Sequence, residues 1–478
     1  MLRIRTIYDI VHGNISYTEE ESKVMNHPLF LRLHHVCQVG LKRYVFPSAS
    51  HTRFAHSVGA MHVTGLMIQA VTNGSERIPP SPRKIVPGMA VPFHELDLEL
   101  RDQILRVARL AGLVHDLGHG PLSHAFEHFF PKPEEIVGLL NDPKLSALRP
   151  YRSALLKASK SRIEHETMSC ILFAVICKDV GIEDDVASAV TAVLLHQRAV
   201  LRGHSRKVLV PWIPFITSLV SSAPADADRM DYLLRDSTSI GVEFGLFSLD
   251  RLLKSALCVL NDDGTYRLGW RVSGLSALED IVWSRYQMFD QIYYHKTVDA
   301  IELAIDVIAK NIVFRTPFIA TYSLHAFVES FTNLTDAEFL RQLVDDPLNT
   351  SPASVEIARS LNARKLWKCV YEQHPGFNSV DAKKVCAKLQ KKFPSGIFHH
   401  RHRTIIPLKD IENGAALVAR DRRGTYRILP GKTPWIDASD RLRSFNKDPA
   451  EISRVYAQHS MSEAEYDRVC QYAKTITP

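Results

Sequence analysis

Apolar residues recur at helical spacing through most of the first two thirds of the chain. Residues 101–114 place Ile104, Leu105, Val107, Ala108, Ala111 and Val114 at the 3–4-residue interval of one helix face. Segments 164–179, 184–198 and 212–222 repeat that pattern. A longer run, about 275–312, keeps a helical period with no Pro or Gly inside, and predicts a long buried or interface helix. Two stretches change to a strand pattern. LCVLNDDGTYRLGW (257–270) sets an Asp-Gly turn between β-prone flanks, which predicts a hairpin. Residues 403–429 alternate short β-prone runs with Asn413-Gly414 and Arg423-Gly424, which predicts a meander. Between 72 and 95, Pro79, Pro80, Pro82, Pro87 and Pro92 predict an extended surface loop joining two helices. The expected fold is mainly α, with a smaller mixed α/β part towards the C-terminus.

Composition narrows the class without naming it. The chain has 478 residues, 45% hydrophobic and 23% charged, which fits a globular protein and excludes overall disorder. A net charge of +7 suits an anionic substrate but does not by itself indicate nucleic acid. Seven scattered cysteines with no CxxC argue against a disulfide framework or a thiolate zinc site, and point to a reducing cytoplasm. The first residues, MLRIRTIYDIVHGN, lack a secretory apolar core, and no run of about 18 apolar residues predicts a membrane span.

Histidine changes the picture, because its 22 copies cluster. LAGLVHDLGHGPLSHAFEHFF (110–130) ends an apolar helix on His115-Asp116, then adds Gly118, His119, Gly120, His124, Glu127 and His128. An adjacent His-Asp pair at a helix end presents imidazole and carboxylate to one cation, a donor set suited to Fe, Mn, Zn or Ni rather than Ca. SASHTRFAHSVGAMH (48–62) carries His51, Arg53, His56 and His62, which also reads as a capped helix start. SSAPADADRMDYLLRDS (221–237) carries Asp226, Asp228, Asp231 and Asp236, which also reads as carboxylates complementing a helix dipole.

Taken together the three segments form H…HD…D and resemble the HD-domain superfamily of metal-dependent phosphohydrolases. The deoxynucleoside triphosphate triphosphohydrolase branch, bacterial dGTPase-like and vertebrate sterile-alpha-motif-and-HD-type, is the better match within it. The shared text is HGNI (12–15), YVFPSASHTRFAHSVG (44–59), AGLVHDLGHGPLSHAFE (111–127), HE (165–166), DADRMDYLLRD (226–236) and YYHK (293–296). The resemblance implies an HD-type catalytic helical domain over 1–315, with core motifs at 44–236. It leaves 316–478 as a mixed α/β region for oligomerisation or regulation.

By that resemblance, His56, His115, Asp116 and Asp228 would hold a divalent metal (Fe, Mn, Mg, Zn or Ni). His119, His124 and His165, with Glu127 orienting His165, would be catalytic. Glu127 stands where relatives carry Asp, a longer arm with the same charge. Arg53, Arg229 and Arg285 would hold the triphosphate, and Gln38, Tyr232, Asp236 and Tyr293 would form a deoxyribose pocket. Core or capping roles for His165, a solvated helix face for Arg285 and ordinary core packing for the tyrosines stay open on sequence alone.

The implied reaction is attack of a metal-bound water on the α-phosphate of a dNTP, releasing a deoxynucleoside and inorganic triphosphate. Two rival readings are an HD hydrolase of ribonucleotides, monophosphates or nucleic-acid ends, and an inactive nucleotide- or nucleic-acid-binding scaffold. The resemblance further implies a homo-oligomer, tetramer or hexamer. The chain departs from regulated relatives at Asn26, Leu31 and His34, where the residues that grip a guanine-nucleotide activator would lie, and at Phe289, which replaces a phosphate-binding histidine. The basic cluster HHRHR (399–403) and Arg420-Asp421-Arg422-Arg423 read as a solvated loop or as a nucleotide or nucleic-acid contact at a subunit interface, without the aromatic interleaving that nucleic-acid binding favours.

Overall fold

A computed structural model describes residues 5–76, 78, 85–157, 162–201, 208–311, 318–345, 351–373, 380–394, 396, 398–404, 416–421, 425–429, 436, 438–445, 451–458 and 460–477. The protein is mainly helical with a smaller sheet part, as the periodicity predicts. An N-terminal hairpin pairs β1 (Arg5–Asp9) with β2 (Gly13–Tyr17). Helix α1 (Arg53–Ser75) starts where the Thr52 hydroxyl accepts the Ala55 N–H. It is buried on nearly every side, because it runs through the middle of the body and packs against α2 (Leu98–Val114) and the helix at Ala227–Ile240.

The Asp97 carboxylate caps α2, and the helix ends immediately before His115. Helices α3 (His165–Val180), α4 (Asp184–Leu194) and α5 (Ile213–Val220) complete the packing around it. Helix α6 (Ala227–Ile240) begins on the Asp226 carboxylate, which accepts the Arg229 N–H. One large core joins these helices, from Ile15 through Val58, Leu113, Phe173 and Met230 to Ile305.

Several elements differ from the periodicity reading. The run expected as a helix over 184–198 stops at Leu194, because His196 turns to a left-handed φ of 52°. The long helix over 275–312 is two helices, α7 (Leu275–Met288) and α8 (Lys296–Lys310), separated by a π-helical turn at Phe289–Tyr293. Neither Pro nor Gly breaks it; the His295 imidazole caps α8 by accepting the Thr297 N–H. The Pro-rich segment is not wholly a surface loop. Helix α1 runs through 72–75, and Met89, Ala90 and Val91 are buried through backbone bonds to Leu260, Tyr426 and Cys258. Pro79, Pro80 and Pro82 lie outside the described residues.

The hairpin at the Asp-Gly turn is present as β3 (Ala256–Leu260) and β4 (Tyr266–Arg271). The predicted meander instead divides between two sheets. Strand β5 (Lys368–Gln373), strand β6 (Phe398–Thr404) and strand β9 (Glu451–Ala457) form an antiparallel sheet in the order β5-β9-β6. Strand β7 (Ala416–Arg420) pairs in parallel with β4 and antiparallel with β8 (Tyr426–Ile428). Both Asn413-Gly414 and Arg423-Gly424 lie outside the described residues. The HHRHR cluster is therefore a strand and not a solvated loop. Arg401 and Arg403 on β6 pair with Asp299, Glu302 and Asp306 of α8.

Candidate metal centre

Four side chains from three segments converge where α2 ends against α1 and α6. His56 comes from the first turns of α1, His115 and Asp116 from the end of α2, and Asp228 from the first turn of α6. His56 Nε2 lies 3.2 Å from His115 Nε2 and 3.1 Å from Asp228 Oδ1. It lies 3.4 Å from Asp116 Oδ2, and His115 Nε2 is 3.4 Å from Asp228 Oδ1. His56 is fully buried and Asp228 is half-buried at the mouth.

The far nitrogen of each imidazole is already occupied. His56 Nδ1 meets Asp231 Oδ2 at 2.8 Å, and His115 Nδ1 donates to the Gly112 carbonyl at 2.8 Å. Both rings thus aim Nε2 inward. Asp231 is itself fully buried and also binds His12 Nε2 (2.7 Å) and Arg235 Nε (2.8 Å). Gly59 makes room for it: a Cβ there would sit 1.9 Å from Asp231 Oδ1.

The electrostatics ask for a cation. Burial alone would raise Asp116, yet Arg53, His115 and His119 hold it well below the usual carboxylate range. Burial would likewise raise Asp228, but His115 and His56 hold it well below the usual carboxylate range. Burial disfavours a charged His56, but Asp116, Asp228 and Asp231 raise it well above the ordinary imidazole value. With no cation, the cluster attracts a proton into the place where positive charge is wanted. Two inward imidazole nitrogens and two carboxylates therefore suit a divalent metal of the Fe, Mn, Zn or Ni kind.

A second cluster adjoins it. The rings of His119 and His165 stack at 3.9 Å, and His119 meets His124 edge-on at 4.9 Å. Glu127 Oε1 lies 2.9 Å from both His124 Nδ1 and His165 Nδ1. Burial would raise Glu127, but these two imidazoles hold it well below the usual range. Burial opposes protonation of His165, while Glu166 and then Glu127 raise it to about 9. Burial and then Arg53 keep His119 well below the ordinary value, so it is neutral. Next to each other lie one protonated and one neutral imidazole.

The arginines flank the quartet. Arg53, buried, donates to Asp116, and Arg229 donates to its own N-cap, Asp226. Burial raises Asp226 to about 6, against the pull of Arg229. Arg285 stands over the Phe289 ring at 5.1 Å. Burial raises the Tyr232 hydroxyl, against the fields of Arg285 and Arg229, so all three share one neighbourhood.

A third group sits beside them. Tyr293 Oη donates to Asp236 Oδ2 at 2.6 Å, His51 Nε2 meets Asp236 Oδ1 at 2.6 Å, and Tyr232 meets Tyr293 edge-on at 6.3 Å. The buried Gln38 Oε1 has no hydrogen-bond partner among the described residues. Away from the quartet, Asn26 caps its helix through the Ser22 carbonyl, Leu31 is exposed, and His34 stacks on Phe54 at 3.7 Å.

Sequence reasoning missed the supports. Asp336 Oδ1 accepts the Leu122 N–H (2.8 Å) and its Oδ2 the Cys37 N–H (2.9 Å). Leu122 and Ser123 both sit at left-handed φ, 57° and 60°, which this clamp helps to hold. Arg32 is buried and donates to the Leu117, His119 and Leu334 carbonyls. Ser169 donates to the His115 carbonyl and accepts the Gly118 N–H. Asp231, His12 and His51 lie within the quoted motifs, which assign them no orienting role.

The helices bring together His56, His115 and Asp228 as a group that could hold a metal ion, with Asp116 beside it. No family model matches the chain. The deoxynucleoside triphosphate triphosphohydrolase SAMHD1 of Bos taurus is 27% identical, over 78% of this chain and 59% of its own length. The SAMHD1 homolog of Dictyostelium discoideum is 26% identical, over 77% of this chain and 60% of its own. A putative HD domain-containing protein of Acanthamoeba polyphaga mimivirus is 25% identical, over 72% of this chain and 64% of its own. The chain thus spans about three fifths of the length of these curated relatives. A crystal structure of a hypothetical protein from Aquifex aeolicus shares the fold, with a TM-score of 0.62 at 20% identity, covering 98% of this chain and 99% of that one. The curated relatives support an HD-domain, dNTPase-like family for this chain.

Proposed function

We propose that this protein is a metal-dependent hydrolase that cleaves deoxynucleoside triphosphates into a deoxynucleoside and inorganic triphosphate. The observation that carries the reading is the convergence of His56, His115, Asp116 and Asp228 beside the His119–His165–Glu127 cluster. The SAMHD1-type names of the relatives support the substrate class. A divalent cation held by the quartet supplies Lewis acidity towards a phosphate oxygen and lowers the pKa of water.

The chain's own groups do the rest. Asp231 and the Gly112 carbonyl hold the two imidazoles so that each presents Nε2. Arg53, Arg229 and Arg285 neutralise the triphosphate. Water adds to the α-phosphorus and the bond to the 5′-oxygen breaks. His165, protonated below about 9 and oriented by Glu127, gives its proton to that oxygen. Neutral His119 donates one N–H to a non-bridging oxygen as charge grows there. His124, exposed at the mouth, shares the Glu127 carboxylate and helps to fix it. Asp236 accepts from the 3′-hydroxyl, the Gln38 amide N–H donates to its oxygen, and Tyr293 packs against C2′, leaving no room for a ribose hydroxyl.

Purified protein supplied in turn with each metal and a panel of dNTPs, NTPs, monophosphates and oligonucleotides tests the substrate class. Release of deoxynucleosides from dNTPs alone is the expected result, with loss of turnover in His115→Ala and Asp116→Ala. Preference for NTPs or oligonucleotides, or unchanged turnover in those variants, rejects the reading.

A further inference from the structure

A cavity of about 720 Å³ is walled by α5, the β3–β4 hairpin and the segment after α4. Ser222, Ala223 and Ala225, in the segment that leads into α6, also line it. None of the quartet, the His119–His165 cluster or the Asp236 group lines it. Its size is that of a nucleotide-scale ligand site.

The lining has a consistent chemistry. Ile213 and Trp270 supply apolar wall, while Arg198, Arg267 and His196 supply basic groups, against one acidic side chain, Asp263. Arg267 is half-buried, and its Nε is shielded from solvent with no hydrogen-bond partner. Neither Arg267 nor Arg198 forms an ion pair with a described residue; the nearby Asp262 offsets only part of the cost of burying Arg267. A guanidinium left unbonded in a pocket is costly unless something occupies its donors. A half-buried Arg267 and an exposed Arg198 lining a cavity with apolar wall match an anion with an apolar body, and the planar fork matches phosphate.

We infer that this cavity is a second ligand site, separate from the metal centre, that binds a phosphorylated small molecule through Arg198 and Arg267. The inference stands independently of the proposed reaction.

Calorimetric titration of the full chain with inorganic phosphate, glucose 6-phosphate, AMP and ATP tests it, on the wild type and on Arg198→Ala/Arg267→Ala. Among the described residues neither arginine has a hydrogen bond or ion pair to lose, so the double variant should keep its melting temperature and its dNTP turnover. At least one probe should bind the wild type and lose about tenfold or more in affinity in the double variant, the loss expected when charge-assisted bonds to a phosphate are removed. Arg267→Lys, which keeps the charge without the fork, should fall between the two. Equal affinity in wild type and double variant assigns any binding to another site and overturns the inference, as does failure of all four probes to bind the wild type.

Discussion

Asp231 illustrates how much one buried carboxylate organises. It touches no inward-facing donor position, yet it fixes the His56 ring and joins it to His12 and Arg235. Removing it frees the His56 tautomer and leaves Arg235 paired only with Asp9. Asp231→Ala should lower metal affinity by about 10–100-fold, read by competition with a chromogenic chelator. An unchanged affinity would show that His56 needs no orienting partner. His165 gives a pH signature. Burial opposes its protonation, but Glu166 and Glu127 raise its folded-state pKa to about 9, above the ordinary imidazole value of 6.5. The stability it contributes is therefore full below about 6.5 and is lost as pH rises through about 9. The melting temperature of the wild type should fall across that window, and His165→Gln should flatten the fall. Parallel curves for both proteins would assign the loss to another group.

At the scale of elements, the site depends on how closely three segments approach. Gly118 lets the turn after α2 lie against the start of α3, where a Cβ would come 2.1 Å from the His165 carbonyl and 2.4 Å from the Ser169 N–H nitrogen. Because both neighbours are backbone, Gly118→Ala should destabilise by about 1–3 kcal/mol and shift His115 relative to His165. Urea unfolding measures the first effect, and a midpoint equal to the wild type's contradicts it. Asp336 clamps Leu122 and Cys37 from a helix at Asp336–Asp345. Asp336→Ala strands two buried N–H groups and should cost about 1–3 kcal/mol for each. A stability equal to wild type would mean that water replaces the carboxylate.

These supports also mark what was legible in the sequence. The quartet could be read because its residues crowd three short, unusual motifs. The helices could be read because one apolar face repeats. Asp336, Arg32 and Ser169 could not, because they act on backbone atoms far along the chain, and nothing in their local sequence signals a partner. The break at Phe289–Tyr293 was hidden too, since a π-turn with a histidine cap uses neither Pro nor Gly.

Over the whole molecule, chain order and spatial order part company in the sheets. Strand β7 leaves the C-terminal region to complete the sheet of β3 and β4, where Leu417 and Val418 are fully buried. Arg454 of β9 reaches Asp299 and the Tyr294 carbonyl, which fastens the second sheet to α8. Periodicity sees a strand but not the partner it pairs with across a hundred residues, so the meander at 403–429 was read as local. Residues 1–315 alone should therefore fold poorly, with exposed β4 and α8 surfaces giving aggregation in sedimentation velocity. A monodisperse, cooperatively melting fragment would show that the later strands are dispensable.

The central claim is that the quartet and its neighbouring histidines break the bond between the α-phosphorus and the 5′-oxygen. Phosphorus NMR of a dNTP turned over by metal-loaded protein tests it most directly. Inorganic triphosphate should appear as the sole phosphorus product, and a chelator should abolish it. Orthophosphate or pyrophosphate as the first product, or turnover that survives the chelator, would contradict it.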